Sequence, residues 1–90
     1  MSNQDPISYL TRAMTIDEKV LGPEHPGLSI DLNNLALLYQ NQGKYGEAEP
    51  LYRRSLGILE KVLGKGHHTT EIVRANYASF QEEMKQKGKG

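Results

Sequence analysis

A shift of 42 residues lays this chain over itself, and no other feature limits its possible folds so strongly. Leu21 and Gly22 fall on Leu63 and Gly64, Glu18, Lys19 and Val20 on Glu60, Lys61 and Val62, and His25, Ile30, Asn34 and Ala36 on His67, Ile72, Asn76 and Ala78. With Arg12/Arg54 and Ile16/Ile58 added, 11 of the 25 positions from 12 to 36 are identical to their counterparts. Unrelated sequence gives roughly one or two. A unit of this period buries its apolar side only against neighbouring units, so the expected object is a stack.

Punctuation and period together make the units helical. Asp5 and Pro6 suit an N-cap and first helical position, and Ile7, Leu10, Met14, Val20 and Leu21 follow at helical spacing until Gly22-Pro23. A second helix opens near His25-Pro26, carries Leu28, Leu32, Leu35, Ala36, Leu38 and Tyr39, and stops at Gly43. A third starts around Gly46-Glu47, is bent at its entry by Pro50, and runs through Leu51, Leu56, Leu59 and Val62 to Gly64. A fourth, capped by Thr69 or Thr70, carries Ile72, Val73, Tyr77, Phe80 and Met84 before a run of Lys and Gly. The expected spans are 6–21, 27–42, 46–63 and 69–85, and Val, Ile and Thr are too scattered for a strand. The fold class is all-α, with short connections making successive helices antiparallel neighbours.

Charge and composition remove several functions. Lys plus Arg number 11 and Asp plus Glu 11, so the formal charge is zero and no concentrated basic face calls for nucleic acid or an anionic membrane. No apolar run approaches the roughly 20 residues of a spanning helix, and the expectation is a soluble, cytoplasmic chain. With no cysteine, disulfides, thiol nucleophiles and thiolate metal sites are excluded.

Within residues 29–62, Leu32, Leu35, Ala36, Tyr39, Gly43, Tyr45, Ala48, Tyr52, Ser55 and Leu56 form a pattern of large and small residues that resembles the tetratricopeptide repeat. The longer period and the phrases LGPEHP (21–26), LNNLA (32–36), QGKY (42–45) and EAEPLY (47–52) are similar to the 42-residue variety of kinesin light chains and nephrocystin-like proteins. The resemblance covers about Ile7 to Met84. It implies a short right-handed superhelical solenoid of about four helices: a leader at 1–5, a repeat domain at 6–85 with one complete unit at 26–63 between a lone B helix and a lone A helix, and a disordered tail at 86–90. Departures from the pattern are informative. Ser55 stands where the family usually has Ala, and Arg74 and Gln81 replace the counterparts Leu32 and Tyr39, as in a helix that closes the array.

Candidates for chemistry are few. The carboxylates Asp17-Glu18, Glu47/Glu49 and Glu82-Glu83 are spread over separate helices and read as solvated or ion-paired faces rather than catalytic groups. His67-His68 reads as a turn, since no second pair at metal-ligand spacing exists, and the repeated His25 reads as a group that satisfies a helix entry. Tyr39, Tyr45 and Tyr52 read as helix-packing residues. No cofactor, metal site or catalytic residue is expected.

One polar set stands apart. Asn33, Asn34, Leu37, Gln40 and Asn41 share a helical face distinct from the packing residues, and the next repeat supplies Ala75, Asn76, Ser79, Glu82 and Glu83. The resemblance implies that this is the concave, ligand-facing side. Asn34 and Asn76 are then expected to project into one groove, with Asn34 equally suited to bridging neighbouring helices. The expected function is protein recognition, with an extended peptide or partner helix of unknown identity laid on the A helices. The alternative is an assembly element that forms a homo-oligomer through its open ends, notably Ile7, Leu10 and Met14 on one side and Val73, Tyr77 and Phe80 on the other.

Overall fold

The structure, a computed structural model, describes residues 6–89. Four helices follow one another: α1 (Pro6–Leu21), α2 (Pro26–Asn41), α3 (Tyr45–Val62) and α4 (His68–Lys89). The described residues contain no strand. The proposed leader, 1–5, and the Asp5 cap lie outside the described residues.

The turns show why the helices stop and start where they do. Gly22 and Gly64, repeat counterparts, sit at φ of +98° and +93°, the left-handed conformation that ends a helix and that a side chain disfavours. Three residues further on, His25 and His67 cap the next helix. His25 Nδ1 accepts the backbone N–H of Gly27 at 2.9 Å, and His67 Nδ1 accepts that of Thr69 at 3.1 Å. The expected caps Thr69 and Thr70 therefore yield to His67, whose carbonyl also takes the Glu71 N–H at 3.0 Å. Thr70 is instead buried, its hydroxyl turned to the Leu59 carbonyl at 3.4 Å.

Two further expectations change. Helix α3 begins at Tyr45 and so carries Pro50 inside it, past its first turn, with the ring exposed and the missing N–H forfeiting one bond toward the Gly46 carbonyl. Helix α4 continues to Lys89 instead of dissolving after residue 85. Lys85, Gln86 and Lys87 are good helix formers, and positive charge favours a helix C-terminus, so Gly88 alone does not stop it. Gly90 is outside the described residues.

Turns of this length bring successive helices side by side and antiparallel. Early α2 meets late α3 through the Ser55 hydroxyl, which donates to the Ser29 carbonyl at 2.6 Å in the buried interface. That bond accounts for Ser55 in a position built for Ala. Late α3 meets early α4 through Glu60 and Arg74, 3.5 Å apart. Helices of like phase also touch: α1 and α3 through Glu18 and Arg54 at 3.2 Å, and α2 and α4 through side chains described below. The chain is thus two layers, α1 and α3 in one and α2 and α4 in the other.

Two apolar clusters fill the space between layers. Leu28, Leu32 and Ile58 form one, with Met14 and Leu51 packed against it. Ala36, Ala48, Tyr52 and Phe80 form the other, with Leu37, Tyr39, Tyr45, Leu51 and Tyr77 around it. Small Ala36 and Ala48 leave room for four rings, with Tyr52 and Phe80 centroids 5.1 Å apart and Tyr52 and Tyr77 stacked at 5.9 Å. Helix α1 contributes no fully buried residue.

Leu35, 3% exposed on α2, tests the core. Leu35→Ala is expected to destabilise the chain by about 2–5 kcal/mol, measured as a fall in the denaturant midpoint with an unchanged slope.

Candidate functional site: the face shared by α2 and α4

The surface positions of α2 follow from its period. Leu28, Leu32, Leu35 and Ala36 are buried toward the other layer, which leaves Ile30, Asn34 and Asn41 exposed along one stripe with half-buried Leu37 among them. Their counterparts on α4 are Ile72, Asn76, Ser79 and Glu83. The two stripes lie on adjacent helices of the same layer.

Two side-chain ties hold these helices at a fixed spacing. Midway along α2, Oδ1 of the buried Asn33 accepts from Asn76 Nδ2 of α4 at 3.3 Å. Toward the C-terminal ends, Gln40 Nε2 donates to Glu83 Oε1 at 2.7 Å, and Glu83 Oε2 accepts the Tyr45 hydroxyl at 2.7 Å. Gln40 in turn accepts the Tyr52 hydroxyl on Oε1 at 2.6 Å. Four residues of three helices are thereby joined in one run.

The charge states match this geometry. Hydrogen bonds from Tyr45 and Gln40 hold the Glu83 carboxyl below its ordinary value. The same bond, with the partial burial of the ring, raises the Tyr45 phenol. Burial, with the Glu83 charge as a second cause, pushes Tyr52 up to about 12. On the neighbouring flank, Glu49 binds Arg53 and accepts the Tyr77 hydroxyl at 3.0 Å, and both bonds lower its carboxyl.

Measured against the expected ligand set, the ten residues divide. Asn34, Asn41, Ala75, Ser79 and Glu82 are exposed. Asn33, Asn76, Gln40 and Glu83 spend polar groups on the ties, and Leu37 packs against the aromatic cluster. Asn34 and Asn76 share a repeat position without sharing an environment, because Asn76 is bound to Asn33 while Asn34 is open. Sequence reasoning passed over Ile30 and Ile72, which are 40% and 46% exposed on this face. Their identity across the repeat was the available signal, since core packing does not require isoleucine at an exposed position.

The open ends also differ from expectation. Val73 and Phe80 are buried, Tyr77 belongs to the aromatic cluster, and Ile7, Leu10 and Met14 are half-buried, so none of them is a free flank. The exposed large apolar residues of α1 are Tyr9, Ile16, Val20 and Leu21. Among the described residues no group of three or more His, Asp or Glu is placed to hold a metal ion, and no helix is long and apolar enough to cross a membrane.

Comparison with known proteins agrees with this architecture. The sequence profile of the tetratricopeptide repeat matches residues 7–61 and again 32–89. The chain is 30% identical over 65 residues, 72% of its length, to a clustered mitochondria protein homolog of Aspergillus clavatus, and 37% identical over 49 residues, 54% of its length, to nephrocystin-3 of Xenopus laevis. These matches span only 5% and 4% of the two relatives. The chain belongs to the tetratricopeptide repeat family, a class of helical-repeat, protein-interaction modules.

The Glu83 ties have a consequence in acid. Because the folded carboxyl titrates below the ordinary value of 4.5, its contribution is fully present above about pH 4.5 and is lost as pH falls through the depressed value. Glu83→Gln is expected to lower the thermal midpoint at neutral pH and to flatten its decline as pH falls below about 4.5, followed by circular dichroism.

Proposed function

We propose that this chain is a recognition module without catalytic activity, and that it binds an extended peptide or a partner helix along the face shared by α2 and α4. The observation that carries this reading is the pairing of Ile30 and Asn34 on α2 with Ile72 and Ser79 on α4, exposed on helices whose spacing the Asn33–Asn76 and Gln40–Glu83 ties hold fixed. Helices in contact lie about 8–10 Å apart and an extended peptide advances about 3.3 Å per residue, so ligand residues about three apart meet equivalent points of the two helices. Apolar side chains of the ligand rest on Ile30 and Ile72, while the Asn34 amide, with two donors and an acceptor, pairs with its backbone. Asn41, Ala75 and Glu82 flank this line, and Glu82 favours a basic residue in the ligand. The cytoplasmic setting expected from the sequence belongs to the same proposal.

Selection of peptides from a random display library on the full chain tests it. Selected peptides are expected to lose at least about tenfold in affinity for a protein carrying Ile30→Asp and Asn34→Ala, with the helical circular dichroism unchanged. Peptides that bind the double variant as tightly as the parent place the site elsewhere.

A second reading, self-association, is favoured by the outer side of α1. Tyr9 and Ile16 are 70% and 53% exposed, whereas their repeat counterparts Leu51 and Ile58 are packed under α2. A second copy covering this side yields a sedimentation coefficient that rises with concentration and that Ile16→Asp returns to the monomer value. A concentration-independent monomer excludes this reading.

A further inference from the structure

The junctions α1·α2 and α3·α4 are related by the repeat, so corresponding positions are directly comparable. In the second junction, Leu59 and Val73 are 0% and 1% exposed. The residues 42 positions earlier are Asp17 and Asp31. An apolar pair in one junction is thus an acidic pair in the other.

The surroundings of the pair make this a matter of protons. Asp31 Oδ2 is shut off from solvent and accepts no hydrogen bond, and the polar group acting on its carboxyl is that of Asp17. Among the described residues, no cation is paired with either carboxylate. Asp31 is the sole charged residue of α2. On α1, Arg12 and Lys19 are exposed, and Glu18 is engaged with Arg54 of α3. The remaining cations of α3 are also engaged, Arg53 with Glu49 and Lys61 with Glu24. Two carboxylates facing each other without a counter-ion are compatible when they share one proton, which turns one of them into the donor the other lacks.

We propose that Asp17 and Asp31 form a proton-dependent clasp for α1. With Asp31 protonated and donating to Asp17, α1 is held on α2; with Asp31 ionised, the two carboxylates repel and α1 loosens while α2, α3 and α4 stay packed. Helix α1 is suited to such motion because none of its residues is fully buried, whereas α2, α3 and α4 share the aromatic cluster. Its release removes Met14 from Leu28, Leu32 and Ile58, uncovering apolar surface on the remaining helices.

The direction with pH follows from the Asp31 carboxyl, which burial, then the hydrogen bond and charge of Asp17, raise from 3.8 to about 6. A folded value above the unfolded one means that the clasp is fully engaged below about pH 3.8 and is lost as pH rises through about 6. Helix α1 is held in mild acid and freed toward neutrality, opposite in direction to the Glu83 ties.

Amide exchange by nuclear magnetic resonance on the full chain tests the clasp. Between about pH 5 and about pH 7.5, protection factors in α1 are expected to fall about tenfold relative to those in α3, the change that the displaced Asp31 titration implies. Asp31→Val, which installs the side chain found at the matching position 73, and Asp31→Asn, which can donate to Asp17 at any pH, are expected to remove that fall. Should the Val variant not fold, the nearly isosteric Asn variant carries the comparison. A parent protein whose α1-to-α3 ratio does not change with pH, or a folded variant that retains the parent's tenfold fall, overturns the proposal.

Discussion

Tyr52 joins the two kinds of interaction on which this small stack depends. Its ring is fully buried beside Ala36, Ala48 and Phe80, while its hydroxyl, at the far end of the same side chain, donates to Gln40. A buried hydroxyl without a partner costs about 1–3 kcal/mol, so burying the ring commits the Gln40 oxygen. Once that oxygen accepts from Tyr52, the amide nitrogen is free to donate only on its other side, where Glu83 lies. The second oxygen of Glu83 then takes Tyr45, next to Phe80. Apolar packing therefore dictates the direction of a hydrogen-bond run, and the run fixes α4 against α2.

The repeat and its punctuation made most of the fold legible. Each turn has its glycine, each expected helix exists, and the tyrosines expected to pack are in or against the aromatic cluster. The failures share a cause. Periodicity reports which side of a helix is apolar, but not which polar groups on the opposite side find each other across 38 or 43 residues, as Tyr45–Glu83 and Gln40–Glu83 do. Four residues read as ligand contacts therefore also make internal ties. The cap of α4 was legible in part: threonine, the commoner cap, was expected at 69 or 70, while the match of His25 and His67 across the repeat pointed to the helix-entry role that both fill.

Polar substitution has opposite effects at the two ends. At the outer side of α4, Arg74 stands where Leu32 would predict an apolar residue, and it folds back to donate to the Lys65 carbonyl at 2.9 Å and toward Glu60. Its charge is satisfied within its own end of the chain, which makes this side compatible with water. At the α1·α2 junction, the polar substitution lies between helices and has no counter-ion among the described residues. Arg74 on the α4 side is partnered, whereas Asp31 Oδ2 on the α1 side is buried without a hydrogen bond.

The candidate binding face inherits this asymmetry. Asn33, Asn76, Gln40 and Glu83 fix the distance between α2 and α4, so a ligand crossing both helices need not order them on binding, and the entropic cost of association is correspondingly smaller. The side chains left free for contact, Ile30, Asn34 and Ile72 among them, project from this fixed frame. An amide that pairs with any peptide backbone supplies affinity without discriminating between sequences, and discrimination rests on side chains that differ between the repeats. Here half-buried Leu37 is answered by exposed Ser79, and exposed Asn34 by Asn76, which is tied to Asn33. The two halves of the face are therefore chemically unequal although the helices that carry them are repeats, and that inequality defines a direction in which a ligand can lie.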